Sequence, residues 1–184
     1  MFEMRFHGRG GQGAVTSAEL TAQAAIAEGK FGQAFPSFGP ERRGAPVMAF
    51  ARTSQEQIRN RSAVYEPDAV LVLDASLLKL VDVSQGMDKS GTLIVSSAQL
   101  PEKLREEYGF KCRIASIDAL TIAMETIRRP ITNTTMLGAL VKATGIVGQE
   151  AMEEAVTNRF GPLARRNIMA MKKAIETVKI SEPS

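Results

Sequence analysis

The sequence predicts a single α/β domain over residues 1–184, built as three α/β/α layers with a mostly parallel sheet and additional C-terminal helices. Three observations indicate this fold class. The chain opens with an alternating strand pattern, a glycine cluster and a helical pattern, in that order. Continuous apolar runs recur later, as in strands covered on both faces. The last third of the chain shows helical spacing only.

The first third of the chain supplies the opening strand–loop–helix unit. Residues 1–7 alternate apolar and polar side chains, which is the period of a half-buried strand. Residues 14–29 are alanine-rich with apolar side chains at helical spacing, and Gly29 favours a helix end there. Residues 31–35 and 47–53 are short strand candidates on either side of a proline-rich and glycine-rich loop.

The remaining elements follow from apolar runs and helical periods. Residues 69–74 are apolar up to a final carboxylate, which suits a central strand. Residues 91–95 and 112–117 have the same character, with a helix predicted at 101–108 between them. Beyond Asp118 the spacing predicts four helices, at residues 119–127, 135–143, 149–160 and 162–178, and a frayed tail at 181–184.

Composition excludes several kinds of site. The net charge of +3 comes from 23 basic and 20 acidic residues, a surplus too small to indicate nucleic acid as a partner. Cys112 is the only cysteine and His7 the only histidine. An iron–sulfur cluster needs about four thiolates, and structural zinc needs a similar set, so any redox centre is expected on a partner or on a dissociable cofactor. With no run of about 18 apolar residues and no secretory signal pattern, we expect no membrane partner and a cytoplasmic location.

The glycine cluster between the first strand and the first helix fits the pattern G-x-G-x-x-G. Glycines allow a tight turn and a close approach of phosphate to backbone N–H groups, and the helix N-terminus adds positive potential. A turn that only packs the helix against the sheet explains the pattern equally well. The candidate phosphate-contacting or interface residues are Gly8, Arg9, Gly10, Gly11, Gln12 and Gly13.

A nicotinamide cofactor is disfavoured as the ligand of this cluster. The dinucleotide fingerprint places an acidic residue about 20 positions on, at the end of the second strand, for the ribose hydroxyl. Here that strand ends in Phe35 and Pro36. Glu28 is nearby, but it is expected at the end of the first helix.

The loop after the second strand is a second candidate site. Three prolines and two glycines stiffen residues 36–46, and stiff loops lose less entropy on docking. Paired arginines can hold phosphates or carboxylates, and aromatic side chains often anchor interfaces. An ordinary solvated turn is the alternative. Phe35, Phe38 and Glu41 are interface candidates, and Arg42, Arg43 and Gly44 are candidates for a phosphate, coenzyme A (CoA) or interface contact.

Three other polar features favour structural roles. His7 lies at the end of the first strand without an identifiable nucleophile, so a structural histidine is favoured over a base. Asp74 is predicted to cap a helix at Ser76 rather than to bind a ligand. The hydroxyl-rich residues 132–138 are predicted to cap the helix that follows them.

Several segments resemble one family. Residues 6–14, FHGRGGQGA, resemble the start of the gamma subunits of 2-oxoacid:ferredoxin oxidoreductases. Residues 33–46, QAFPSFGPERRGAP, are similar to the version in pyruvate and branched-chain oxoacid enzymes. RSAV at 61–64, PD at 67–68 and NTTMLGAL at 133–140 are similar as well.

The resemblance implies a subunit of a larger enzyme. Such enzymes oxidise a 2-oxoacid with CoA to acyl-CoA and carbon dioxide and reduce ferredoxin, or run in reverse. Thiamine diphosphate, Mg and [4Fe-4S] clusters are implied on the alpha, beta and delta partner subunits. The gamma chain is then an α/β domain with no catalytic residue and no cofactor of its own, and a share in holding CoA is a further hypothesis.

Three alternatives remain at this stage. The chain could serve a 2-oxoisovalerate or other 2-oxoacid enzyme. It could be a free-standing nucleotide-binding protein that uses the glycine cluster alone. It could also be an assembly module without a ligand, which would expose apolar patches.

Overall fold

The computed structural model describes residues 1–37 and 44–183. Within them the strands are β1 (Phe2–Arg9), β2 (Phe31–Pro36), β3 (Pro46–Ser54), β4 (Ala69–Val72), β5 (Thr92–Ser96), β6 (Arg113–Ile117) and β7 (Lys179–Ser181). The α-helices are α1 (Ala14–Ala27), α2 (Pro101–Tyr108), α3 (Ala119–Thr126), α4 (Asn133–Thr144), α5 (Gln149–Phe160) and α6 (Ala164–Thr177). Short 3-10 helices cover Ala75–Lys79 and Gly161–Leu163.

The strands form one mixed sheet in the order β2-β3-β1-β4-β5-β6-β7. β1, β4, β5 and β6 are neighbours and run parallel. β3 is antiparallel to β1, and β2 is antiparallel to β3, so β2 returns to the common direction. β7 is antiparallel to β6. Most strands therefore point the same way, and the predicted mostly parallel α/β fold is confirmed.

A thick helical layer covers one face of the sheet. α1 packs on β1, β2 and β3, while α4 packs on β4, β5 and β6. α5 contacts α1, and α6 contacts α4, so these two helices enlarge the layer. Met4, Phe6 and Leu71 point from the strands into this core, where Leu137 and Met171 meet them.

A thinner layer covers the other face. Val70 and Leu93 point from β4 and β5 to this side. The 3-10 helix contributes Leu77 and α2 contributes Leu104. The two crossovers nearest the centre of the sheet thus lie on opposite faces, with α1 on one side and the 3-10 helix on the other.

Arg52 of β3 is buried in the sheet with a partner for each part of its guanidinium. Its side chain is 0% exposed. The Nε donates to Glu3 Oε1 at 2.6 Å, Nη1 to Gln33 Oε1 at 3.2 Å, and Nη2 to the Ser62 carbonyl at 2.7 Å. Its central carbon also lies 5.3 Å from the ring centroid of Phe35. The cluster joins β1, β2 and β3 to the segment that follows β3.

The predicted frayed tail is wrong over its first residue. Lys179–Ser181 forms β7, and Ser181 pairs with Ile114 of β6. Three residues are too few to show a strand period, and pairing with an edge strand decides their conformation. The last helix ends at Thr177, one residue before its predicted end.

Candidate functional site at the carboxyl edge of the sheet

The chain leaves β1 and β4 toward opposite faces, which opens a crevice at the C-terminal ends of these parallel strands. We call the ends of β1, β4, β5 and β6 the carboxyl edge. In open α/β sheets, ligands bind at such a switch point. A cavity of about 540 Å³ lies there. It is lined by residues 11–12, 73–76, 96–98, 118, 120 and 130–132.

The glycine cluster forms the β1 side of this edge. Gly11 and Gly13 have φ angles of 94° and 86°, a region that glycine adopts without the strain of a Cβ. Gly13 is the N-cap of α1 and brings no side chain to cap it. A Cβ at Gly13 would lie 2.6 Å from Asn133 Nδ2. Glycine is therefore also needed at this position because the Asn133 side chain leaves no room for a larger residue.

Arg9 braces the edge from within the chain. Its Nε donates to Asp74 Oδ2 at 3.0 Å, and its Nη2 donates to Ser76 Oγ at 2.8 Å. Nη1 donates to the Gly44 carbonyl at 3.1 Å. The Arg9 guanidinium, which was predicted to contact a phosphate, is thus already paired with a group that follows β4. A ligand contact by Arg9 stays a prediction.

Asp74 accepts several of the hydrogen bonds that hold this edge together. Gln12 receives a hydrogen bond from the Arg9 backbone at 2.7 Å and donates to Asp74 Oδ2 at 3.1 Å. Burial alone would raise the pKa of Asp74, but the donors on Ser76, Gln12 and Arg9 outweigh it and hold the pKa below its usual range. Asp74 also accepts from the Ser76 backbone at 2.9 Å, which confirms the predicted helix cap.

The two sequence motifs meet at Gly44. Its N–H donates to the Gly10 carbonyl at 3.3 Å, while the Gly10 N–H donates to the Ala45 carbonyl at 2.9 Å. The far end of the 36–46 loop is therefore hydrogen-bonded to the glycine cluster, and Gly8 lies buried in β1 just before it. The predicted site residues Phe38, Glu41, Arg42 and Arg43 lie outside the described residues.

Phe35 is placed in the sheet rather than on the loop. Its ring centroid lies 5.2 Å from that of Phe50, and Arg52 sits over its face. The ring is half-buried, so only its exposed part is available for contact with another subunit. An interface role for Phe35 stays a prediction.

His7 lies beneath the edge as a neutral imidazole. Burial, and then the neighbouring charge of Arg5, lower the pKa of His7 to about 4. Its side chain is buried, and its Nε2 has no hydrogen-bond partner within residues 1–37 and 44–183. The sequence favoured a structural histidine, and the burial agrees with that role.

The start of α4 differs from its prediction. Thr132 is the N-cap but its side chain makes no cap hydrogen bond, so the predicted hydroxyl cap is wrong. Thr134 instead donates to Asn167 Oδ1 at 2.8 Å. Asn133 and Thr135 are buried, and neither Asn133 Oδ1 nor Thr135 Oγ1 has a partner among the described residues. A polar run at a helix start was the only sequence signal for this feature.

Metal and membrane features are lacking in the part of the chain that the structure describes. No group of three or more His, Cys, Asp or Glu side chains there is arranged to hold a metal ion. No helix there has both the length and the apolar character that a membrane span requires. Cys112 is buried, and burial is the main cause that raises the pKa of its thiol.

A family profile, pyruvate ferredoxin/flavodoxin oxidoreductase, matches residues 3–177. The chain belongs to this family. A curated relative from Thermococcus litoralis, the pyruvate/ketoisovalerate oxidoreductases common subunit gamma, is 50% identical over 184 residues, covering 99% of this chain and 100% of that protein. Pyruvate synthase subunit PorC from Methanothermobacter thermautotrophicus is 45% identical over 180 residues, 97% of each chain.

A solved structure agrees with the family assignment. Pyruvate oxidoreductase subunit PORC from Thermotoga maritima superposes with a TM-score of 0.87 at 41% identity, covering 98% of each chain. In this pyruvate ferredoxin/flavodoxin oxidoreductase family the chain therefore corresponds, over its whole length, to the gamma subunit. The predicted resemblance is confirmed.

Proposed function

We propose that the chain is the gamma subunit of a pyruvate:ferredoxin oxidoreductase. The reaction removes CO₂ from pyruvate, transfers the acetyl group to the thiol of CoA with release of its proton, and passes two electrons to ferredoxin; it is reversible. The observation that carries this proposal is the end-to-end correspondence, at 50% identity, with a gamma subunit named for pyruvate and ketoisovalerate enzymes.

The redox chemistry in this proposal belongs to the partners. Alpha, beta and delta subunits would carry thiamine diphosphate, Mg and the [4Fe-4S] clusters, and ferredoxin would accept the electrons. The burial of Cys112 and His7 supports this division, because neither side chain is placed to ligate a cluster or to shuttle protons at the surface. The complex would be located in the cytoplasm, where thiols stay reduced.

The share of this chain in holding CoA would come from the carboxyl edge. The glycine cluster and the uncapped N-terminus of α1 offer backbone donors beside a cavity large enough for part of a nucleotide. Arg42 and Arg43 would add cations from the loop whose end bonds to that cluster. Arg9 would act as a brace, since Asp74, Ser76 and Gly44 already accept from it.

An anaerobic pull-down tests the subunit assignment. A tagged copy of the chain should bring down larger thiamine-binding chains and a small cysteine-rich chain. The recovered complex should reduce a viologen dye only when pyruvate and CoA are both present, and other 2-oxoacids serve as control substrates. Recovery of the chain alone with a bound dinucleotide would instead support a free-standing nucleotide-binding protein.

Substitution of the paired arginines tests the CoA share. In the assembled complex, Arg42→Ala and Arg43→Ala should raise the KM for CoA and leave the KM for pyruvate near its original value. An unchanged KM for CoA together with unchanged assembly would contradict a role for these arginines.

A further inference from the structure

The strand β2 forms an open edge of the sheet, because it pairs with β3 only. Ser37 N–H donates to the Met48 carbonyl at 2.8 Å, so in this register the odd-numbered residues of β2 bond to β3. The backbone N–H and C=O groups of Gly32 and Ala34 therefore point outward. Among the described residues, no hydrogen bond reaches these outward groups.

This edge lacks the usual protection against pairing with another strand. Natural edge strands are blunted by charged side chains, by bulges or by a covering segment. The sequence of β2, FGQAFP, contains no charged residue, and its register with β3 is continuous. Phe31 is 47% exposed, and the other residues of the strand are partly exposed. Pro36 does not block the edge, because it is the last residue of the strand.

The order of side chains on β2 matches a copy of itself. Phe31, Gln33 and Phe35 alternate onto one face of the sheet. When an antiparallel second copy is related by a twofold axis at Gln33, Gly32 bonds to Ala34 of the second copy, and every outward N–H finds an acceptor. Phe31 then lies opposite Phe35 of the second copy, at a non-hydrogen-bonded position, where cross-strand side chains lie closest.

Other positions of the axis suit the side chains less well. An axis at Ala34 would also satisfy the outward donors, but it sets Gln33 against Phe35. An axis at Gly32 sets Phe31 against Gln33. Of these three axes, only the one at Gln33 places aromatic opposite aromatic and amide opposite amide, and such cross-strand pairs stabilise a sheet.

The Gln33 amide has a donor left for a contact at the axis. Its Oε1 accepts from Arg52 Nη1 at 3.2 Å, while its Nε2 makes no hydrogen bond in the described part of the chain. An amide oxygen has two lone pairs, so each Nε2 can donate to the Oε1 of the other copy without displacing Arg52. The Arg52 cluster thus orients the amide that the second copy would meet.

We propose that β2 is an interaction surface for a second copy of this chain, paired antiparallel with the twofold axis at Gln33. The seven-stranded sheets of the two copies then continue into one. A strand of a partner subunit is the alternative occupant, and the self-matching order of the side chains favours a second copy. The proposal does not depend on the reaction proposed above, because it uses only β2 and its counterpart.

Cysteine crosslinking of the purified full chain tests the register. Gln33→Cys should give a disulfide-linked dimer under mild oxidation, because this residue faces its own counterpart with about 4.5 Å between Cα atoms. Phe31→Cys is the matched control on the same strand face. Its counterpart lies roughly 14 Å away along the strands, too far for a disulfide, so a non-reducing gel should show it unlinked. The natural Cys112 is buried in both variants.

Sedimentation equilibrium tests the strength of the pairing. Gln33→Glu keeps an acceptor for Arg52 but sets two carboxylates opposite each other at the axis, so the Kd of the dimer should rise on the order of tenfold. Gln85→Glu adds the same charge at an exposed position outside the sheet, and it should leave the Kd within about twofold. Equal effects of the two substitutions would contradict pairing at Gln33.

Amide exchange measured by NMR separates a second copy from other occupants of the edge. The N–H groups of Gly32 and Ala34 should exchange more slowly as the concentration of the chain rises. Those of Gln33 and Phe35 bond to β3 and should stay protected at every concentration.

Three results would overturn the proposal. The chain could stay monomeric up to its highest soluble concentration, or it could form a dimer in which Gly32 and Ala34 remain unprotected. Protection that appears only when the partner subunits are added would also overturn it, because a partner strand would then cover β2. Absence of pyruvate- and CoA-dependent activity in the complex would overturn the proposed function instead, and it would leave these measurements unaffected.

Discussion

Two buried polar groups in this fold have opposite surroundings. The guanidinium of Arg52 is 0% exposed, and its nitrogens donate to Glu3, Gln33 and the Ser62 carbonyl. Asn133 is nearly as buried, but its side-chain oxygen has no hydrogen-bond partner among the described residues.

The difference separates a satisfied, stabilising network from a single unsatisfied polar atom. A buried charge whose donors are satisfied holds strands together, and removing it leaves its partners unpaired. The unsatisfied side-chain oxygen of Asn133 adds little to folding, because it has no partner among the described residues to lose. Substitutions that remove the Arg52 network should therefore cost more stability than substitutions that remove the Asn133 side-chain oxygen.

Arg52→Met should give the largest loss of stability. It leaves Glu3 without its buried cation, and breaking such a pair costs about 3–5 kcal/mol. Urea unfolding of the purified chain measures this loss. Lys103→Ala removes the exposed pair with Glu106 and should change stability by less than about 0.5 kcal/mol. Equal effects of the two substitutions would contradict a structural role for the Arg52 cluster.

Gly13→Ala should come next. The alanine would have the strain of a positive φ, and its Cβ would lie 2.6 Å from the Asn133 amide, so we expect a loss of about 2–3 kcal/mol. Gly11→Ala has the same kind of φ but open space around it, and should lose only about 1 kcal/mol. The same unfolding assay compares them. A larger loss at Gly11 would show that space at Gly13 is not limiting.

Acid should destabilise the chain through His7. Burial lowers the pKa of His7 to about 4 in the folded state, while the unfolded value is about 6.5. The unfolded chain therefore binds the proton first, and stability present above about pH 6.5 is lost as the pH falls toward 4. Between pH 7 and pH 5 the difference between the original protein and His7→Gln should change by roughly 2 kcal/mol. A constant difference across that range would show that the imidazole is not buried in its neutral form.

Asp74→Asn should have a smaller effect than Arg52→Met or Gly13→Ala. The amide can still cap the 3-10 helix, but the ion pair with Arg9 is lost, and both side chains are partly exposed. We expect a loss of about 1 kcal/mol that shrinks at high salt. Asp118→Asn is the control, because Asp118 caps α3 and has no paired cation within residues 1–37 and 44–183. Salt dependence in both variants alike would argue against bracing by Arg9.

The sequence predicted those features that depend on local pattern. The apolar runs located β5 and β6 to within one residue and β4 to within two, and the glycine cluster was correctly placed between a strand and a helix. The cap at Asp74 also followed from local chemistry.

Features that depend on distant contacts could not be predicted. β7 exists because Ile180 pairs with Ala115, and three residues carry no period of their own. The partners of the Arg9 guanidinium lie 35 to 67 positions away in the chain. Asn133 was read as part of a cap because its neighbour in space, Gly13, is 120 positions earlier, and only the fold brings them together.

Reconstitution tests the central claim most directly. The complex would be prepared anaerobically without this chain, and the purified chain, checked to contain no iron, would then be added back. The account predicts weak activity before addition and restored pyruvate- and CoA-dependent dye reduction after it. Full activity of the complex without the chain would contradict its assignment as the gamma subunit.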